Sequence, residues 1–320
     1  MTGAVQSPRA PGPAGEAGPA SPTIDAVEAA LRAGRRDWAG MAVAALLLVT
    51  LLTSLAILFV LLADVFGRAV PVFAERGLDF LTARLSARPE QAGVAQGIVG
   101  SIVLTIFVVV LALPIGVLAA VYLEEYAGDN AFARFVNTNI RNLAGVPAIV
   151  YGLLGLAVFV TALGAGRSLL AGGLTLAILV LPIVVITTAE ALRAVPLTIR
   201  EAAFGVGATR SEVITGHVLP YALPGILTGI VLTLARAFGE TAPLIMVGAI
   251  TGVFRTAPGS ILESLEGPFT ALPTIVFAWS REVKDEFRAL TAAAIIVLLV
   301  VILTVNAGAV LLRNRYDRRW

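Results

Sequence analysis

The sequence has no cysteine and one histidine, and Lys284 is its only lysine. Without cysteine there can be no disulfide, thiolate metal site or cysteine nucleophile. Because His217 is the single histidine, a multi-histidine metal site is excluded, and any serine–histidine catalysis would have to use His217. Lys284 lies in REVKDE, so the chain lacks the Gly-Lys-Ser/Thr of a phosphate-binding loop. No catalytic residue, metal or cofactor is expected, and any ATP hydrolysis must belong to another polypeptide.

Charge is also scarce. Charged residues make up 14% of the 320 positions, apolar residues make up 58%, and the mean hydropathy is +0.91. These values lie far outside the range of soluble globular proteins and predict an all-α integral membrane protein. The net charge of +2 is small and the arginines are dispersed between apolar runs, so a nucleic-acid surface is not expected.

Six apolar runs are long enough to cross a bilayer, which requires about 20 residues for each helix. They are residues 38–63, 96–122, 143–163, 169–189, 221–250 and 289–312. The tail 1–37 is rich in Pro, Gly and Ala and is predicted to be disordered. Residues 64–96 are predicted to form an external loop, with room for a short helix, ahead of a core over 97–315.

Arginines flank the first and last apolar runs and indicate the orientation of the chain. Arg35 and Arg36 precede the first run, and Arg313 and Arg315 follow the last. Because positively charged flanks stay inside, the sequence predicts a multi-pass protein of the plasma (inner) membrane with both termini cytoplasmic. Four prolines within runs could serve as hinges or only as packing features: Pro114, Pro147, Pro182 and Pro243.

A polar segment over 195–220 interrupts the apolar runs. Thr198 to Glu201 and Thr209 to Glu212 each fit a capping box, which predicts two short helices. Gly207 lies between them, where a sharp turn favours glycine. The apolar positions Ile199, Ala203 and Val206 could face a groove in a partner. The alternative is a plain amphipathic loop at the membrane surface.

The same segment resembles the EAA loop of ATP-binding-cassette (ABC) importer permeases. The residues that carry the resemblance are Glu201, Ala202, Ala203, Gly207, Leu219 and Pro220. The resemblance implies the type I importer permease fold with six transmembrane helices. It also implies that this loop couples a separate ATPase to the membrane domain.

The fifth apolar run carries charge. Arg236 and Glu240 are four residues apart and can pair on one helix face. Charges at membrane depth cost roughly 2.5–3.5 kcal/mol each, so they usually face a pathway or an interior partner. Guanidinium matches the oxygens of phosphate, which favours a translocation site that includes Thr241. A pair that only fixes helix packing is the alternative. Arg193 and Arg200 could assist anion exit or a docking surface.

Four segments resemble the PstA-type permease of the phosphate-specific importer: LPIGVLAAVYLEEYA, NLAGVPAIVYGLLGL, RAFGETAPL and LPTIVFAW. This resemblance implies a phosphate importer in which a PstC-type permease forms a heterodimer with the chain. The other implied partners are a PstB-type ATPase dimer, a PstS-type phosphate-binding protein outside, inorganic phosphate and membrane lipid. An importer of sulfate or molybdate remains an alternative. An ATP-independent channel, a secondary transporter and a membrane enzyme are less favoured.

Overall fold

The computed structural model describes residues 38–128, 130–250 and 265–317, and all regular structure in these ranges is helical. The predictions for the tail 1–37 and its arginines lie outside the described residues. The helices are α1 Trp38–Arg76, α2 Asp79–Thr82, α3 Ala95–Tyr126, α4 Ala131–Ala144, α5 Ala148–Ala162, α6 Leu169–Arg193, α7 Leu197–Gly205, α8 Arg210–Gly239, α9 Ala242–Val247, α10 Leu272–Trp279 and α11 Glu286–Asp317.

Five of the described helices, α1, α3, α6, α8 and α11, are long and apolar enough to span a membrane. The sixth predicted span, 143–163, is not one straight helix. Helices α4 and α5 meet at 102° across Gly145, Val146 and Pro147, and together they can count as one bent span. Proline lacks an amide donor and disfavours helical backbone in the residue before it, so α4 ends ahead of Pro147.

By packing, the chain divides into residues 1–60 and residues 61–320. In the first unit the described residues 38–60 are helical and exposed. The helix α1 continues to Arg76, so the predicted external loop 64–96 begins with helix. It then contains the short helix α2 and a single turn at Pro89–Gln91. In the second unit, Arg76 donates hydrogen bonds to the carbonyls of Pro89 and Ala92 and so fixes this loop.

The helix α6 lies at the centre of the second unit, with 67% of its most apolar stretch buried. It packs against α3, α5 and α8, and one apolar cluster joins Leu104 and Val108 of α3 to Leu176 of α6 and Ala237 of α8. A second cluster is built on aromatic rings, where Trp279 of α10 lies between Phe80 and Phe287 with ring centroids 6.3 and 5.7 Å away.

Two helices contain a widened, π-type turn directly before a Leu-Pro pair. In α3 the turn Val108–Ala112 precedes Pro114, and in α8 the turn Ile214–Val218 precedes Pro220. In a regular helix the proline ring would clash with a carbonyl one turn earlier. The extra residue in the turn displaces that carbonyl, so neither proline ends its helix.

Replacement of Gly100 by alanine is expected to destabilise the fold. A Cβ at Gly100 would overlap the carbonyl oxygen of Thr270, while the neighbouring Ser101 hydroxyl accepts a hydrogen bond from the Leu272 amide at 2.9 Å. Helix α3 would have to move away from the segment before α10, at a cost of about 1–3 kcal/mol. Gly308→Ala is the control, because a Cβ there meets nothing within 4 Å. Thermal unfolding in detergent should show a lower midpoint for Gly100→Ala only, and equal midpoints would contradict the close packing.

Candidate functional site

The segment after α6 folds as two helices joined by a glycine turn. Helix α7 ends at Gly205, and α8 begins at Arg210. Between them Gly207 has a φ of +87°, a left-handed conformation that residues with a Cβ rarely adopt. The Gly207 and Ala208 amides donate to the carbonyls of Phe204 and Ala203, at 2.9 and 3.1 Å, and close the turn.

One of the two predicted capping boxes is present. The Thr209 hydroxyl accepts from the Glu212 amide at 3.4 Å, and the Glu212 carboxylate accepts from the Thr209 amide at 2.8 Å. The prediction at Thr198 is wrong, because α7 already begins at Leu197, follows Pro196 and has no side-chain cap. The fixed φ of proline is suited to a helix start, so the helix begins before the threonine.

The second predicted short helix does not end before Leu219 and Pro220. Both residues lie inside α8, which runs unbroken from Arg210 to Gly239, so the second short helix of the loop is the first part of a long helix. Both side chains are half-buried. The widened turn that precedes Pro220 explains why the helix continues.

Of the three apolar residues predicted to face a partner, Val206 is exposed, whereas Ile199 and Ala203 are not. Ala203 is buried and Ile199 half-buried, and both pack in a cluster with Val213 and Val218 of α8. Glu201 and Ala202 are exposed. The large apolar side chains that this loop presents outward are Leu197, Phe204 and Val206, which are 69%, 50% and 86% exposed.

Helical spacing could have found two of these residues. Leu197, Glu201 and Phe204 follow each other at four and three positions and share the face of α7 opposite the buried one. Val206 lies two helical turns after Ile199, so helical spacing alone would place it on the buried face with Ile199. The helix ends at Gly205, however, and Val206 therefore leaves that face.

Arg236 and Glu240 come together as predicted. Arg236 Nε lies 3.2 Å from Glu240 Oε1, and the two side chains are 51% and 17% exposed. The predicted span 221–250 is not a continuous helix, because α8 ends at Gly239 and Glu240 has the extended backbone angles −76° and 111°. The pair thus lies at a break between α8 and α9.

The residues on the two sides of the break explain it. Gly239 is a poor helix former, and Pro243 cannot donate the hydrogen bond that a continuous helix would direct to the Gly239 carbonyl. Pro243 is one of the first residues of α9 and does not lie inside the helix that ends at Gly239. Thr241 is half-buried, and its carbonyl accepts from the Ile245 amide at 3.1 Å. A Cβ on Gly152 of α5 would lie 2.7 Å from Pro243 Cα, which shows how closely α9 packs on α5.

Arg193 and Arg200 do not approach Arg236 through any described contact. Both instead form ion pairs with the end of α3: Arg193 with Glu124, and Arg200 with Glu125. Sequence spacing could not have indicated these pairs, since the hydrogen-bonded partners Arg193 and Glu124 are 69 residues apart.

The family model described as "Binding-protein-dependent transport system inner membrane component" matches residues 92–318. The "Phosphate transport system permease protein PstA 1" of Mycobacterium tuberculosis is 35% identical over 72% of this chain and 73% of its own length. The "Probable phosphate transport system permease protein PstA" of Methanocaldococcus jannaschii is 32% identical over 78% of this chain and 84% of its own length.

Solved structures of ABC importers share the fold. A bacterial ABC transporter involved in the import of alginate superposes with a TM-score of 0.59 and 16% identity, over 88% of this chain and 99% of that chain. The MetNI methionine ABC transporter superposes with a TM-score of 0.54 and 18% identity, over 71% of this chain and 95% of that chain. The chain has the fold of an ABC importer permease and belongs to the family of binding-protein-dependent transport system inner membrane components.

Proposed function

We propose that the chain is the PstA-type permease subunit of an ATP-driven importer of inorganic phosphate. It forms half of the translocation pathway, and a separate ATPase drives it through the segment 195–220. The PstA proteins that resemble it cover about three quarters of its length at 32–35% identity, which supports phosphate as the substrate.

The observation that carries the proposal is the half-exposed Arg236 on an apolar helix that breaks directly beside it. An arginine in contact with lipid would cost about 2.5–3.5 kcal/mol on insertion scales. Irregular backbone at membrane depth is tolerated only against protein or along a water-filled cavity. The exposed side of α8 at Arg236 therefore faces the pathway. Glu240, at 3.2 Å, orients the guanidinium, whose forked donors match phosphate oxygens.

The loop between α6 and α8 forms the docking surface for a PstB-type ATPase dimer. Its exposed apolar side chains are Leu197, Phe204 and Val206. The packing of the buried Ala203 and the turn at Gly207 fix the backbone that carries them. Exposed apolar and aromatic side chains on a packed backbone are suited to binding in a groove of a partner. This role places the loop and both chain termini in the cytoplasm.

The remaining partners follow from the same assignment. A PstC-type permease completes the pathway across the exposed side of α8, and a PstS-type protein delivers phosphate from outside. The chain itself is a transport subunit of the plasma (inner) membrane without an enzymatic activity of its own.

Reconstitution tests the proposal. Proteoliposomes with this chain, its PstC-type and PstB-type partners and the binding protein should take up labelled phosphate only with ATP inside. Excess sulfate or molybdate should leave the rate unchanged. Preferential uptake of sulfate or molybdate would reassign the substrate, and uptake without the ATPase would point to a channel or secondary transporter.

A further inference from the structure

Three arginines in and next to the loop between α6 and α8 contact the last turn of α3. Arg193 ends α6, Arg200 lies in α7, and Arg210 begins α8. Arg193 contacts Glu124, Arg200 contacts Glu125 and Arg210 contacts Tyr126. We call these six residues the α3 clamp.

The two ion pairs of the clamp differ in burial. Arg193 Nε donates to Glu124 Oε2 at 2.8 Å, and half of the arginine side chain is exposed. Glu125 is 7% exposed and lies 2.9 Å from the Arg200 guanidinium, which also donates to the Leu192 carbonyl at 2.8 Å. A buried carboxylate without its cation would be costly, so α7 and the end of α3 must stay together.

The third contact is made by the first residue of α8. The Arg210 guanidinium lies 5.4 Å from the centre of the Tyr126 ring, within the range of a cation–π interaction. The turn Tyr122–Tyr126 of α3 is widened, with the Ala127 amide bonded to the Tyr122 carbonyl at 2.8 Å. Widened turns of this kind are common at functional sites.

Coulomb attraction contributes more to the buried Arg200–Glu125 pair than directional hydrogen bonding does. Within the described residues, neither Glu125 Oε1 nor Arg200 Nε has a hydrogen bond of good geometry, although Glu125 Oε1 is in ion-pair contact. Coulomb attraction changes slowly with distance and angle, whereas a hydrogen bond weakens steeply. Helix α7 can therefore shift slightly and still pull the end of α3 with it.

The other half of α3 lies beside the candidate translocation site. Leu104 and Val108 of α3 pack in one apolar cluster with Ala237 of α8 and Leu244 of α9, which flank Arg236 and Glu240. The last turn of α3 is therefore bound to the loop by the clamp, and the first half of α3 packs against the break between α8 and α9. A helix with packed contacts at two separate places can carry coupling between distant sites.

We infer that the α3 clamp transmits movement of the ATPase-coupled loop through α3 to the Arg236 site. The inference rests on the proposed function, because it gives the internal route between two sites that the proposed function assigns. In this role Glu124, Glu125 and the three arginines are positioning residues, which touch neither phosphate nor nucleotide.

The test uses the full transporter in proteoliposomes with Arg200→Gln, Glu125→Gln and the double variant. Each should assemble with the ATPase and hydrolyse ATP, but the phosphate imported per ATP should fall by about fivefold or more. The double variant leaves no buried unpaired charge, so it provides assembled complex if a single variant folds poorly. A purely structural pair predicts that the double variant regains normal coupling, and that result would overturn the inference.

A thiol reporter measures the transmission directly. Because the chain has no cysteine, Ala242→Cys places a single thiol at the start of α9, where alanine is exposed. Maleimide labelling of this subunit should change on ATP addition, and that change should shrink by about fivefold or more when Arg200→Gln and Glu125→Gln are added together. An undiminished change in labelling would contradict transmission through the clamp.

Arg288→Gln is the matched control, because it removes an arginine from an exposed ion pair with Asp285 at 3.4 Å, outside the clamp. It should keep both the coupling ratio and the change in labelling. If the complex without substitutions imports no phosphate with ATP, the proposed function fails. If it imports phosphate and the clamp variants match it, only the inference fails.

Discussion

Phosphate uptake is expected to fall by about 10- to 100-fold when Arg236 is replaced by glutamine, while the ATPase stays bound. Loss of a charged hydrogen bond to the anion costs roughly 1.5–3 kcal/mol, which corresponds to this range. Glutamine keeps part of the length and polarity, and the arginine side chain is half-exposed, so folding should change little. The measurements are labelled phosphate uptake in cells and the membrane abundance of the assembled complex.

Two further variants separate anion binding from packing. Arg236→Lys restores the charge without the forked donors and should recover only part of the uptake. Arg236→Gln combined with Glu240→Gln removes both charges of the 3.2 Å pair, so a role in packing alone predicts nearly normal uptake. Robust uptake by this double variant would show that the pair is structural and that phosphate passes elsewhere. Arg68→Gln is the control, since Arg68 pairs with Asp64 on α1 at 2.9 Å.

The sequence was sufficient to predict the helical membrane fold, because a lipid bilayer demands long apolar runs. It did not predict where helices break. Pro147 and Pro243 each lie at a break, whereas Pro182 lies inside the continuous helix α6. Glycine precedes the first two within a turn, at Gly145 and Gly239. Pro182 is buried in α6, the candidate span with the largest buried share among the described residues, and the helix continues past it.

The Arg236–Glu240 pair was predictable because it depends only on a spacing of four residues. The α3 clamp was not, since its members come from segments that only the tertiary fold brings together. The loop proposed to dock the ATPase was predictable in part, because the Gly207 turn follows from the local sequence pattern. Which apolar side chains point outward depends on where α7 ends, and sequence patterns locate helix ends poorly.

The second large effect is expected at this docking face. Phe204→Asp replaces an exposed ring, which we propose to bind the ATPase, by a charge, and loss of an aromatic anchor typically costs 2 kcal/mol or more. Affinity for the ATPase should therefore fall by about 30-fold or more. The fold should survive, because Phe204 is half-exposed and the buried cluster around Ala203 is untouched. Binding of purified ATPase to the permease pair in nanodiscs measures the effect.

Two valines provide a matched comparison for the same surface. Val206 is 86% exposed in the loop after α7, and Val283 is 95% exposed in the loop between α10 and α11. Val206→Asp and Val283→Asp introduce the same charge at equally open positions, so solubility and insertion effects should be the same. Only Val206→Asp should weaken ATPase binding and slow ATP-driven uptake. Equal binding by Val206→Asp, Phe204→Asp and the unsubstituted chain would mean that the ATPase docks on another surface.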